Sequence, residues 1–238
     1  MATVALVGAD GAGKTSVARQ LEAATDLRVK YIYMGVNPEA CNHALPTTRL
    51  VWWLKYRFGK AANAGGPPDP AKRETEDRAR SPLKRVFGVI KGPIRLANQI
   101  AEEWYRQVLS WYYQRRGFVV LFDRHFFPDY YAHDINTESS RRRLLSRLHG
   151  FFLERFYPKP DFIVLLDAPA SVLYERKGEG TVELIEQRRQ EYFQLRDLVP
   201  RFAVVQADQP VEKVMSEVRD IIRDLQPEVA SGGERPAR

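Results

Sequence analysis

Five short apolar runs punctuate the 238-residue chain: Val4 to Val7, Val29 to Tyr33, Phe118 to Phe122, Phe162 to Leu166 and Phe202 to Val205. Each is followed by helical or loop sequence, and they read as buried strands alternating with helices. That pattern predicts a parallel sheet covered on both sides. Helical periodicity is legible over 13–24, 99–116, 140–156, 170–176, 182–195 and 211–225.

The stretch between the second and third strands is much longer than an ordinary crossover, and Gly65, Gly66, Pro67, Pro68 and Pro70 break it. We read an insertion at about 35–97 within a single domain spanning 1–226. Beyond Gln226 the sequence loses apolar periodicity, so 227–238 is expected to be a disordered tail.

Composition narrows the class. A hydrophobic fraction of 44% and a charged fraction of 28% suit a globular domain. No apolar run approaches the roughly 20 residues needed to span a bilayer. The chain opens on a strand-like run with no basic, cleavable leader, which makes a cytoplasmic protein the expectation. Cys41 is the lone cysteine and is read as incidental. The net charge of +7 favours anionic ligands, which could be nucleotides, nucleic acid or an acidic membrane face. The basic residues do not form a nucleic-acid recognition motif, so no nucleic-acid partner is expected.

The strongest chemistry lies at the first strand-to-helix turn. Gly8-Ala9-Asp10-Gly11-Ala12-Gly13-Lys14-Thr15 has a glycine, four residues and then Gly-Lys-Thr. Small residues at Gly11, Ala12 and Gly13 let backbone N–H groups wrap a phosphate, which also lies against the positive end of the next helix. Lys14 then bridges β- and γ-phosphates, and Thr15 offers its hydroxyl to Mg2+. ATP and Mg2+ are the implied cofactors.

An aspartate at position 10 is not required for holding phosphate, and Val7 to Ser16 resembles the opening of thymidylate kinases. The resemblance extends to Asp123-Arg124-His125 after the third run, to Pro160 through Lys177, and to Gln206-Ala207-Asp208-Gln209-Pro210. It implies a three-layer α/β fold of the P-loop type with strand order 2-3-1-4-5. It also implies that Asp10 faces the acceptor, although an aspartate there also suits a plain turn. Asp123 would hold the Mg2+ shell or orient the acceptor, and Arg124 would clamp an acceptor phosphate. Arg176 would stack on adenine or reach the transferred phosphoryl group. Phosphate-loop residues through Ser16 and the loop at Asp208 would meet the nucleotide. A homodimer is a further expectation from the family.

The resemblance weakens on the acceptor side. Tyr33-Met34-Gly35-Val36-Asn37-Pro38-Glu39 stands where the family carries Arg-Glu-Pro-Gly. Glu102 falls near the family's base-reading arginine, with Arg106 one turn on as a substitute. Aromatic residues follow His125, from Phe126 to Tyr131. The lid, Gly178-Glu179-Gly180, is short, and Arg188 and Arg189 on the following helix could supply the missing charge. His43, His125, His133 and His149 are scattered and suggest no metal site.

The leading expectation is phosphoryl transfer from ATP to a nucleoside monophosphate, dTMP first. A phosphorylated or hydroxylated non-nucleotide acceptor, such as a sugar, glycan or lipid precursor, is the competitor; were the acceptor a hydroxyl, Asp123 or Asp10 would act as its base. A catalytically idle nucleotide-binding module is the third reading. In the insertion, Leu50 to Phe58 is aromatic and cationic. A helical hairpin packed on the core or a second subunit is the favoured reading there, with peripheral membrane contact as its rival.

Overall fold

In the computed structural model, residues 2–35, 41–57, 82–125, 144–178 and 180–225 are described. The Gly-Pro-rich break at 65–70, the residues following His125, Glu179 and the tail lie outside these residues.

The five apolar runs form five strands: β1 (Thr3–Val7), β2 (Val29–Tyr33), β3 (Val119–Asp123), β4 (Phe162–Asp167) and β5 (Phe202–Gln206). All pairings are parallel, and the order is β2-β3-β1-β4-β5. This is the expected P-loop architecture. Side chains alternate across each strand, so the sheet feeds two cores. Val4, Leu6, Leu121, Val164 and Val205 join the core on one face, while Ala5, Val7, Val120, Phe122, Ile163 and Leu165 join the other.

Helix α1 (Lys14–Ala23) and the C-terminal helix cover the first face. They bury Val17, Ala18 and Leu21 alongside Val214, Val218 and Ile222. The second face lies under α3 (Pro82–Arg115) and α4 (Leu144–Phe156), with Trp104, Leu109 and Leu153 packed against it. The remaining helices are α2 (Pro46–Arg57), α5 (Ala170–Lys177), α6 (Val182–Phe193) and α7 (Val211–Leu225), and a 3-10 turn (Gln194–Leu198) follows α6.

The principal departure is α3. Sequence periodicity starts this helix at Gln99, yet it runs unbroken from Pro82 with Pro93 inside it. The expected insertion therefore has no boundary at 97, because 82–97 is continuous with the helix that covers the sheet. A proline removes one backbone donor without abolishing the flanking turns when burial further along holds the helix. That burial is unusually polar: Glu102, Glu103, Arg106, Gln107 and Ser110 all face inward. Among the described residues no helix is long and apolar enough to cross a membrane.

Candidate functional site

The register places the ends of neighbouring strands side by side: Leu6 pairs with Asp123, Tyr33 with Asp123, and Asp167 with Gln206. Ligands in open parallel sheets collect beyond this edge. The phosphate loop leaves β1 here, between β3 and β4.

Two glycines explain the loop's path. Gly8 has φ +145°, and a Cβ on it would stand 2.4 Å from the Leu166 carbonyl oxygen. Gly11 has φ +93°, and a Cβ there would meet the Leu173 carbonyl oxygen at 2.9 Å. Any side chain at either place would collide with backbone. The loop delivers its amides to the start of α1, where Gly13 makes no side-chain cap and the first turn holds no acidic residue. A positive helix end left without a carboxylate fits a phosphate.

Lys14 is buried, and its Nζ donates to the carbonyl oxygens of Gly8 (2.7 Å) and Ala9 (2.9 Å). It is thus folded over the loop whose amides point to the start of α1. Thr15 Oγ1 donates to Asp123 Oδ2 at 2.6 Å, and the Tyr31 hydroxyl donates to the same oxygen at 3.2 Å. Asp123 is fully buried, and its Oδ1 has no hydrogen-bond partner. An orphaned carboxylate oxygen beside a phosphate-loop hydroxyl fits Mg2+, an oxygen-seeking cation held by one or two carboxylates together with phosphates. Tyr31 is held neutral: burial raises its pKa, and the Asp123 charge raises it further.

Asp10 is the second focus. Arg124 makes a short ion pair with its Oδ1, Lys177 Nζ lies 3.9 Å from the same oxygen, and Arg188 lies 3.7 Å from Oδ2. Burial pushes the Asp10 carboxyl up, but Arg124, Lys14, Lys177 and Arg188 together outweigh that and hold it below the usual range. Arg124 reaches this position from a left-handed backbone, φ 61°, unusual for a residue with a Cβ. Its N–H donates to the Leu6 carbonyl at 3.3 Å, so the turn is tied to β1.

The other predicted residues separate. Arg176 turns toward β5 and donates to the Ala207 carbonyl at 2.8 Å. That places its guanidinium on the loop from Gln206 to Pro210. Asp208 and Ser16 are exposed. Arg188 does bring charge to the site, whereas Arg189 does not. Its guanidinium grips buried Asp167 through two 2.7 Å bonds and Glu186 through a third, so it fastens α6 to the end of β4. Hydrogen bonding to Asp167 raises its pKa further.

Arg106 is likewise no base reader. It is 4% exposed and donates to the carbonyls of His43 (3.0 Å) and Met34 (3.1 Å) and to Cys41 Sγ (3.4 Å). It staples the segment after β2 to α3, and Glu102 assists by accepting from the Leu45 N–H at 2.9 Å. Cys41 is therefore part of a fastening rather than incidental. His149 is buried against Glu103 at 2.8 Å, and His125 is buried against Phe122 and Tyr157. Among the described residues no group of three or more His, Cys, Asp or Glu side chains is arranged to hold a metal.

Sequence reasoning missed Tyr31, because a tyrosine inside an apolar run looks like any core aromatic. Lys177 passed unremarked beside Arg176. Only the fold reveals that α5 and α6 both end their basic positions over Asp10.

No family model matches the chain. Among solved structures, it is similar to a deoxyadenosine kinase from M. mycoides with the products dCMP and a flexible dCDP bound. The TM-score is 0.49 and the identity 12%, over 94% of this chain and 99% of that one. Likeness of this degree bears on neither substrate nor residue roles.

Proposed function

We propose that the protein is an ATP-dependent phosphotransferase that moves the γ-phosphoryl group to an acceptor already bearing a phosphate, with a nucleoside monophosphate as the acceptor and dTMP the first candidate. The observation that carries this reading is the convergence of Arg124, Lys177 and Arg188 on Asp10, beside a phosphate loop whose Thr15 is bonded to Asp123. A neutral hydroxyl would need no such cluster. A phosphate monoester, carrying close to two charges near neutral pH, would.

The chemistry is an in-line displacement. An acceptor phosphate oxygen forms a bond to the γ-phosphorus, the bond to the β–γ bridging oxygen breaks, and ADP carries away that electron pair. The attacking oxygen is already ionised, so this chain needs no strong base. Its residues act by placement and by charge. The loop amides from Gly11 to Thr15 hold the donor's phosphates, and Lys14 transfers its hydrogen bonds from the loop carbonyls to them. Thr15 and Asp123 would hold Mg2+, which would supply neutralisation of the donor's phosphate charge. Arg124 clamps the acceptor phosphate, with Arg188 and Lys177 beside it. Asp10 keeps these cations assembled before the acceptor arrives, which lowers the ordering cost of binding. Arg176, through its bond to the Ala207 carbonyl, sets the wall against which the donor's base would lie.

A second reading keeps the donor side and replaces the nucleotide acceptor by a phosphorylated sugar, glycan or lipid precursor. It is favoured by one observation: Arg106, the candidate base reader, is consumed as a staple.

The test is a screen of acceptors with Mg·ATP, covering dTMP, dUMP, sugar phosphates and their unphosphorylated counterparts. Turnover of dTMP supports the nucleotide reading. Turnover of sugar phosphates alone moves the assignment to the second reading, and turnover only with unphosphorylated hydroxyl acceptors would overturn both.

A further inference from the structure

We infer that α2, together with the exposed turn of α3 at Ile94 and Arg95, is a docking surface for an anionic lipid bilayer. On α2, Leu50, Val51, Trp53 and Leu54 are all exposed, Trp53 by 57%. On α3, Ile94 is exposed by 64%. Large apolar side chains gathered in water on one short helix call for an occupant.

The helix is fixed rather than adventitious. Thr47 donates to Asn98 (3.1 Å), Asn98 donates to Thr48 (3.0 Å), and the Leu45 N–H donates to Glu102 (2.9 Å). These bonds tie the start of α2 to α3 and leave its later turns facing outward. Ile94 is one helical turn from Asn98 on the same side of α3.

Charge selects the occupant. α2 carries Arg49, Lys55 and Arg57 and no acidic residue. The exposed turn of α3 adds Arg95. Arg49, Arg57 and Arg95 are exposed among the apolar side chains. Two copies of so uniformly cationic a surface would repel each other, which argues against self-association through it. A nucleic acid would satisfy the charge and leave Leu50, Val51 and Leu54 in water. An anionic leaflet meets both demands: arginines stay at headgroup level while tryptophan and aliphatic side chains enter the acyl boundary. The surface follows β2, whose C-terminal end lies at the edge where the phosphate loop opens, so docking would hold the acceptor side close to the bilayer.

The experiment is co-sedimentation of the full chain with phosphatidylcholine vesicles, with and without about a third of phosphatidylglycerol, at low and high salt. The expected result is binding to the mixed vesicles, weakened by salt, and little binding to phosphatidylcholine alone. A cation near an anionic leaflet contributes about fivefold, so Arg49→Gln with Arg57→Gln should weaken binding about 25-fold. Leu50→Ser with Trp53→Ser should weaken it at least tenfold while leaving the melting temperature and ATP binding intact. The inference is overturned if mixed vesicles fail to bind, if these variants bind as the parent does, or if Trp53→Ser instead converts a dimer to a monomer in light scattering. None of these readouts depends on which acceptor is phosphorylated.

Discussion

Thr15 and Asp123 lie 108 residues apart in sequence, and the 2.6 Å hydrogen bond between them joins the phosphate loop to the end of β3. Asp123 is buried, with Oδ1 left unbonded as the oxygen it would offer to a cation. Asp123→Asn replaces the carboxylate and keeps the shape. Phosphoryl transfer should fall by about two orders of magnitude, the scale of losing one preorganised electrostatic contact. The melting temperature should hold or rise, because a neutral amide is cheaper to bury. Tyr31→Phe, which deletes one bond to the same carboxylate, should cost about tenfold and raise the Mg2+ concentration needed for half-maximal rate. A titration of initial rate against Mg2+ checks both.

Arg188 and Arg176 meet different partners, Arg188 beside Asp10 and Arg176 on the Ala207 carbonyl. Arg188→Ala should raise the KM of a phosphate acceptor about tenfold and leave that of ATP nearly unchanged, because Arg188 stands over Asp10. Arg176→Ala should do the reverse, since its guanidinium supports the loop at Ala207. Steady-state kinetics with each substrate varied in turn separates them.

Arg189 should matter to stability. Its two 2.7 Å bonds neutralise Asp167, which is buried at the end of β4. Arg189→Ala would strand that carboxylate, at a cost of about 3 kcal/mol. Arg189→Lys keeps the charge without the planar fork and should recover only part of the loss. Urea unfolding of the variants measures this directly.

His125 gives the fold an acid sensitivity. Burial depresses its pKa to about 3, against 6.5 for an ordinary histidine. Below pH 6.5 the unfolded chain takes up a proton that the folded chain refuses. Stability from this group is therefore complete above pH 6.5 and lost progressively as pH falls towards 3, by about 2 kcal/mol at pH 5. His125→Phe should flatten the stability profile between pH 5 and 7, whatever its effect at neutral pH. Urea midpoints across that range provide the check.

The phosphate-loop part of the candidate site was legible because its residues are consecutive: Gly8, Gly13, Lys14 and Thr15 meet one motif in a single turn, and Asp123-Arg124 ends an apolar run that could only be a strand. The sheet was legible for the same reason, since strands buried on both faces leave unbroken apolar runs such as Val4 to Val7. The cluster around Asp10 was legible only in part. Besides Arg124 its cations come from α5 and α6, and no local pattern distinguishes Arg188, which reaches Asp10, from Arg189, which turns to Asp167. Arg106 misled for a related reason, because sequence position gives no sign that backbone carbonyls will consume a guanidinium. The reach of α3 back to Pro82 was hidden by Gly92-Pro93, a pair that ordinarily marks a helix boundary.

The central claim is that the loop around Lys14 positions ATP for transfer to a phosphate held beside Arg124. The direct measurement is Mg2+-dependent ADP formation with dTMP and with the wider set of phosphate monoesters, comparing the parent with Lys14→Ala. The account predicts acceptor-dependent ADP formation by the parent and a loss of at least a hundredfold in the variant. Equal rates in the two proteins, or no acceptor-dependent ADP with any phosphate monoester, would contradict it.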